Sequence, residues 1–161
     1  MRFHREHRLK VTAMTPLDIM ELVGELRPGD VAECMALNRS PRQALEEATK
    51  GPGSYACGVR VGNGYGTIGA FGVSGLAIWS LWSPLKKHES REIFERTPSF
   101  VRHLVQYSGA PTLTNIVLST NKPALLYLRH SGCFDVQPEP FDFNGHSFYS
   151  FRTKPLEELP A

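Results

Sequence analysis

Residues 116–134 read Ile-Val-Leu-Ser-Thr-Asn-Lys-Pro-Ala-Leu-Leu-Tyr-Leu-Arg-His-Ser-Gly-Cys-Phe, and the order of the whole chain is built outward from them. The apolar, β-branched run Leu113 to Leu118 predicts a buried strand. Asn121 then caps a helix from Lys122 to His130, which Ser131-Gly132 closes. Downstream, Phe134 and Val136, then Phe141 and Phe143, alternate as strands do. Asn144-Gly145 is a hairpin turn leading into a last strand through Phe148, Tyr149 and Phe151. Upstream, a helix is expected from Ser90 to Ser108, ended by Gly109 and Pro111. Thr97-Pro98 inside it should kink or restart it, because proline lacks an amide donor and clashes with the preceding turn.

Further upstream the period is two. Tyr55 to Val61 and Thr67 to Val73 flank Gly62-Asn63-Gly64-Tyr65-Gly66, and Ser74-Gly75 permits a second turn into Leu76 to Trp82, so three antiparallel strands should lie in a row. The N-terminal part opens on a strand from Leu9 to Met14. Thr15 caps a helix carrying Ile19, Leu22, Val23 and Leu26, with Pro16 at its first position, until Pro28-Gly29 stops it. Asp30 to Leu37 should add another helical turn or two. Ser40-Pro41 repeats the cap-then-proline signature and launches Arg42 to Lys50.

The chain has 161 residues, 41% hydrophobic and 21% charged, with 18 Lys+Arg against 16 Asp+Glu and a formal charge of +2. This suits one folded domain and excludes disordered, collagenous and coiled-coil classes. So balanced a charge gives no broad electrostatic reason for nucleic-acid or anionic-membrane binding. The longest apolar stretch, Phe71 to Trp82, is interrupted by Gly72, Ser74, Gly75 and Ser80, and is too short for a membrane span. Met1 to Lys10 has no apolar signal core, so a cytoplasmic setting is expected. Cys34, Cys57 and Cys133 are odd in number and widely spaced, which reads as buried filler and not as a disulfide or zinc framework. His4 and His7 lie among arginines in an N-terminal arm, and the other histidines are scattered. Gly64-Tyr65-Gly66-Thr67-Ile68-Gly69 matches the G-x-G-x-x-G string of dinucleotide sites, yet it joins two strands where that chemistry needs a helix N-terminus to meet the phosphate.

The order of elements resembles the GNAT N-acetyltransferase superfamily over about Leu9 to Arg152, most specifically where Asn121, Ala124 and Gly132 repeat its Asn-x-x-Ala helix ending in Gly. The resemblance implies a single GNAT-like α/β domain at 9–152, between an arm at 1–8 and a tail at 153–161. Its mixed, mostly antiparallel sheet would have about six or seven strands flanked by about four helices. A closer likeness is to short phage-encoded proteins of this type, those called internal virion protein A. It rests on Trp79-Ser80-Leu81-Trp82-Ser83, then Lys86-Lys87-His88 and the helix from Ser90.

What the resemblance implies is acetyl transfer from acetyl-CoA to an amine, with a host protein as the favoured acceptor in the host cytoplasm. The alternative is an inactive protein of the same fold that binds a host protein or resides in the virion. The coenzyme would lie in a gap between the fourth and fifth strands, against Leu81, Trp82, Ser83, Lys86, Lys87, Ser90, Arg91, Asn121, Ala124 and Tyr127. A backbone amide near Leu81 to Ser83 would hold the thioester oxygen. Two departures stand out. Ser83 to Arg91 lacks the glycines of the family's diphosphate loop, leaving the work to Lys86, Lys87, Arg91 and the helix start. The proton-donating tyrosine expected seven residues after Asn121 is Leu128. Tyr127 is one earlier, turned by about 100° on the helix, and is the catalytic candidate that remains.

Overall fold

Proline at the first helical position sets the N-terminal third. Pro16, Pro28 and Pro41 open α1 (Pro16–Val23), α2 (Pro28–Ala36) and α3 (Pro41–Glu47), where a fixed φ and a missing amide cost nothing. Thr15 and Ser40 form reciprocal capping boxes with Asp18 and Gln43. α1 already ends at Gly24, so Pro28 starts the next helix and does not stop the first. The computed structural model describes residues 8–62 and 66–161; His4, His7 and the turn residues Asn63 to Tyr65 lie outside them.

Among the described residues there are eight strands and five α-helices. The strands are β1 (Leu9–Ala13), β2 (Ser54–Val61), β3 (Thr67–Ser74), β4 (Ala77–Trp82), β5 (Thr114–Leu118), β6 (Phe134–Val136), β7 (Phe141–Phe143) and β8 (His146–Thr153). The remaining helices are α4 (Lys87–Ser108) and α5 (Lys122–His130), and a 3-10 turn spans Leu156–Glu158. One mixed sheet runs β1-β2-β3-β4-β5-β8-β6, with β7 also on β8. Every neighbour pair is antiparallel except β4 and β5. The expected fold class is the one seen. α4 runs unbroken through Pro98 as a single helix, so the proline does not restart it. At the β7–β8 turn Asn144 and Gly145 both adopt positive φ, 51° and 76°, as the Asn-Gly signal requires.

Helices cover both faces. Ile19, Leu22, Cys34 and Leu45 of α1 to α3 pack on Ala70 and Leu81, while Ile93, Val101, Leu104, Leu125 and Leu128 of α4 and α5 pack on Phe71, Val73, Ile78 and Trp82. Gly69 belongs to this packing: a Cβ there would lie 2.0 Å from the Trp82 ring opposite it. The G-x-G-x-x-G string therefore leads into a strand, and its last glycine seats an indole.

Asp18 ties α1 to the sheet. It is fully buried, and its Oδ1 accepts from Arg60 Nε at 2.7 Å and Thr67 Oγ1 at 2.6 Å, while Oδ2 accepts from the Thr15 amide at 2.7 Å. Burial alone would raise its pKa, but the hydrogen bonds from Arg60, Thr67 and Thr15 outweigh it and hold the carboxyl below the ordinary 3.8. Its contribution is therefore present above pH 3.8 and is lost as pH falls through the lower folded value. Asp18→Ala should cost about 3 kcal/mol in urea unfolding at neutral pH, because it removes the carboxylate that pairs with Arg60 and leaves the Thr15 amide without its acceptor.

Candidate active site

Two parallel strands normally share a ladder, but β4 and β5 pair only at Ala77 and Thr114. The Thr114 amide donates to Leu76 O at 2.9 Å. One step on, the Asn115 side chain replaces the ladder, donating through Nδ2 to Ile78 O at 2.7 Å. Beyond it the strands diverge, and the wide end of the wedge is spanned by the first turns of α2. The Trp82 amide donates to Asp30 Oδ2 at 2.8 Å, and the Leu118 amide to Glu33 Oε1 at 2.7 Å. Trp82 O accepts from the Arg27 amide at 2.9 Å. Arg27 Nε lies 3.0 Å from Asp30 Oδ2, and Asn121 Nδ2 donates to Asp30 Oδ1 at 3.0 Å. Gly29 lets α2 come this close, since a Cβ there would fall 2.2 Å from Asn121 Oδ1.

Strand parity then identifies one open amide. The Ser83 amide donates to Ile68 O, so odd-numbered β4 residues turn their backbone polar groups toward β3 and even-numbered ones toward the gap. Ile78 O is held by Asn115, and Trp82 is held at both its amide and its carbonyl. Ser80 lies between them, at a point where the gap has no opposite strand. The donor expected near Leu81 to Ser83 is thus displaced: Leu81 and Ser83 face β3, Trp82 faces Asp30, and the amide left facing the gap is that of Ser80.

Two cavities lie near this point, the larger reaching Ser80 and the smaller reaching Trp82 two residues on. The larger, 630 Å³, lies on the α1–α3 face and is lined by Ser80, Leu81, Asp30, Glu33, Val117 and Ala124 among others. The smaller, 350 Å³, lies between the start of α4 and α5 and is lined by Trp82, Ser90, Phe94, Leu126, Tyr127 and His130 among others. Arg27 and Tyr127 line both. The Tyr127 hydroxyl is hydrogen-bonded to Thr97 Oγ1 in α4, and burial pushes its pKa far above the ordinary value, so the phenol stays protonated. Leu128, where the resemblance would put a tyrosine, is buried against the same gap.

The expected coenzyme residues fall into three groups. Leu81 and Ala124 line the larger cavity, and Trp82, Ser90 and Tyr127 the smaller. Lys86, Lys87 and Arg91 are exposed around the start of α4, where Glu89 Oε1 already accepts the Lys86 amide at 2.8 Å. Ser83 and Asn121 turn inward: Ser83 Oγ donates to Ile68 O, and Asn121 occupies the N-cap position of α5 without capping it. Its side chain goes instead to Asp30, a buried carboxylate that needs donors.

Sequence reading missed Arg27, Asp30 and Glu33, although their spacing of three places them on one helical face. Glu33 is the unusual one. Burial, with Asp30's charge adding to it, raises its pKa to about 7 against the opposing pull of the Leu118 amide, Asn121 and Arg27. A carboxylate so tuned can accept and release a proton near neutrality.

No family model and no curated protein sequence matches this chain. Solved structures do. The GNAT domain of PAT from S. lividans aligns with TM-score 0.64 at 11% identity, over 89% of each chain. The fold is the GNAT fold. A spermidine N-acetyltransferase SpeG chimera from Vibrio cholerae and hSSAT gives TM-score 0.64 at 12% identity, over 94% of this chain and 97% of that one. The yncA protein of Salmonella typhimurium, solved with its cofactor acetyl-CoA, gives 0.58 at 12%, over 96% and 98%. Such identities carry architecture and say nothing of substrate.

Proposed function

We propose that this chain is an acetyl-CoA-dependent N-acetyltransferase. The observation that carries the reading is the Ser80 amide, directed into a strand gap that opens on the larger cavity, with the smaller cavity reached at Trp82 two residues on. A backbone donor so placed can hold and polarise a carbonyl oxygen without reorganising. Acetyl-CoA, when bound, supplies that carbonyl as an activated thioester. The residues that would hold it are Trp82, Ser90 and Tyr127 along the smaller cavity, with Lys86, Lys87 and Arg91 and the free first-turn amides of α4 for the diphosphate. The larger cavity would admit the acceptor amine, and Glu33 there would take its proton. A host-protein amine is the acceptor class favoured by the phage-type resemblance.

A second reading, a protein of this fold that binds a host protein or sits in a virion without turnover, has its own support. Trp82's amide and carbonyl, which face the gap, are already bonded to α2, and the Lys86 amide to Glu89. A thermal-shift titration decides between them: acetyl-CoA at 100 times its dissociation constant should raise stability by about 2.7 kcal/mol. Absence of any shift at millimolar acetyl-CoA would favour the second reading. Lys86→Ala together with Arg91→Ala should weaken acetyl-CoA binding by about tenfold and flatten its dependence on salt, as removing two cations from a diphosphate site requires. Calorimetric titration at two ionic strengths checks both effects.

A further inference from the structure

We infer that the 630 Å³ cavity takes a single ammonium carried on an apolar stem or ring, and that Glu33 is the residue that selects it. The inference deepens the transferase reading and rests on it for the role of the cavity. Five charged side chains line the space: Arg27, Asp30, Glu33, Arg39 and Glu47. Four are mutually paired, Arg27 with Asp30 at 3.0 Å and Arg39 with Glu47 at 3.4 Å. Glu33 is the one left, and among the described residues it has no cationic partner within ion-pair distance. Its Oε1 accepts from the Leu118 amide and, at 3.5 Å, from Asn121, while Oε2 has no donor among the described residues.

The rest of the wall is mostly apolar, with Ile78, Leu81, Ile116, Val117 and Phe151 contributing beside the uncharged polar groups of Ser74, Ser80, Asn115 and Asn144, and Trp79 adds an indole N–H buried without an acceptor. A cavity with one uncompensated negative charge in a mostly apolar wall is complementary to one positive charge on a mostly apolar body. A polyamine would bring further ammoniums with no carboxylate left to meet them. An amino acid would bring its own carboxylate against Asp30 and Glu33. Both a free monoamine and a lysine side chain have the required chemistry.

The test is calorimetric binding to the full chain at pH 8, without acetyl-CoA, of n-hexylamine, Nα-acetyl-lysine amide, spermidine and glycine, on the natural protein and on Glu33→Gln. The expected result is binding of n-hexylamine or the lysine amide at least tenfold tighter than spermidine or glycine, and lost by tenfold or more in the variant. Tighter binding of hexylamine would assign the free amine and tighter binding of the lysine amide a protein side chain; either supports the inference. Equal binding in the variant, equal or tighter binding of spermidine, or no binding of either apolar amine would overturn it. Thiol release from acetyl-CoA with the bound amine is measured in parallel. Glu33-dependent binding without release would overturn the transferase reading alone, and release unaffected by Glu33→Gln would overturn this inference alone.

Discussion

Ser80→Pro is expected to lower kcat by about 10²- to 10³-fold, the usual loss when one preorganised oxyanion donor is removed. Proline deletes the backbone N–H and nothing else that the sheet uses at this position, because the Ser80 amide faces the gap and not β3. In strand geometry it is tolerated where its missing donor faces no neighbour. Leu81→Pro is the matched control. One residue further on, the amide turns to β3 and pairs with Ala70, so the same substitution should break the ladder and cost about 3 kcal/mol or more. The two variants therefore separate catalysis from folding: a folded Ser80→Pro protein with a small change in Tm and a collapsed kcat, beside a destabilised Leu81→Pro protein. Thiol-release kinetics and thermal unfolding read both. A Ser80→Pro protein with kcat unchanged would move the carbonyl contact away from this amide.

The position of that amide was not legible in the sequence, although the strand holding it was. Period-two alternation located β4, and the Asn121-to-Gly132 string located α5, because both signals are local. Which β4 amide is free depends on parity against β3 and on how quickly β5 diverges, which are long-range quantities. The same limit hid the α2 contribution. Pro28-Gly29 carries a stop signal and a start signal at once, and only the tertiary position of Asn121 shows why glycine stands at 29. Asn121 shows the opposite error. Its place at the head of α5 was correctly read, but a buried carboxylate 91 residues earlier in the chain competes for its side chain and wins it from the cap. Tyr127 was expected to turn off the family's tyrosine direction, and it lies between the two cavities with its hydroxyl on Thr97.

Glu33→Gln should make the protein more stable at pH 8 than the natural chain, by at most about 3 kcal/mol, with the advantage shrinking toward pH 5. The sign follows from the proton. Glu33 has a folded pKa of about 7 against an ordinary 4.5, so the folded state holds a proton more tightly than the unfolded chain does. Its stabilising contribution is complete below pH 4.5 and is lost as pH rises to about 7, where the folded protein must carry a half-buried charge beside Asp30. Glutamine never carries that charge. Its carbonyl still accepts the Leu118 amide. Of the other groups against this carboxyl, Cys34 is pushed up to about 11 and is silent across the window. Asp18 titrates below pH 3.8 and leaves the window clear. Urea unfolding of both proteins at pH 5, 6, 7 and 8 should give unfolding free energies that converge at acid pH and part by up to about 3 kcal/mol at pH 8; parallel pH dependences would place the Glu33 charge in solvent. A carboxylate whose removal stabilises the fold is retained against folding stability, and the stability lost is what a group held ready to bind a cation or take a proton costs its scaffold.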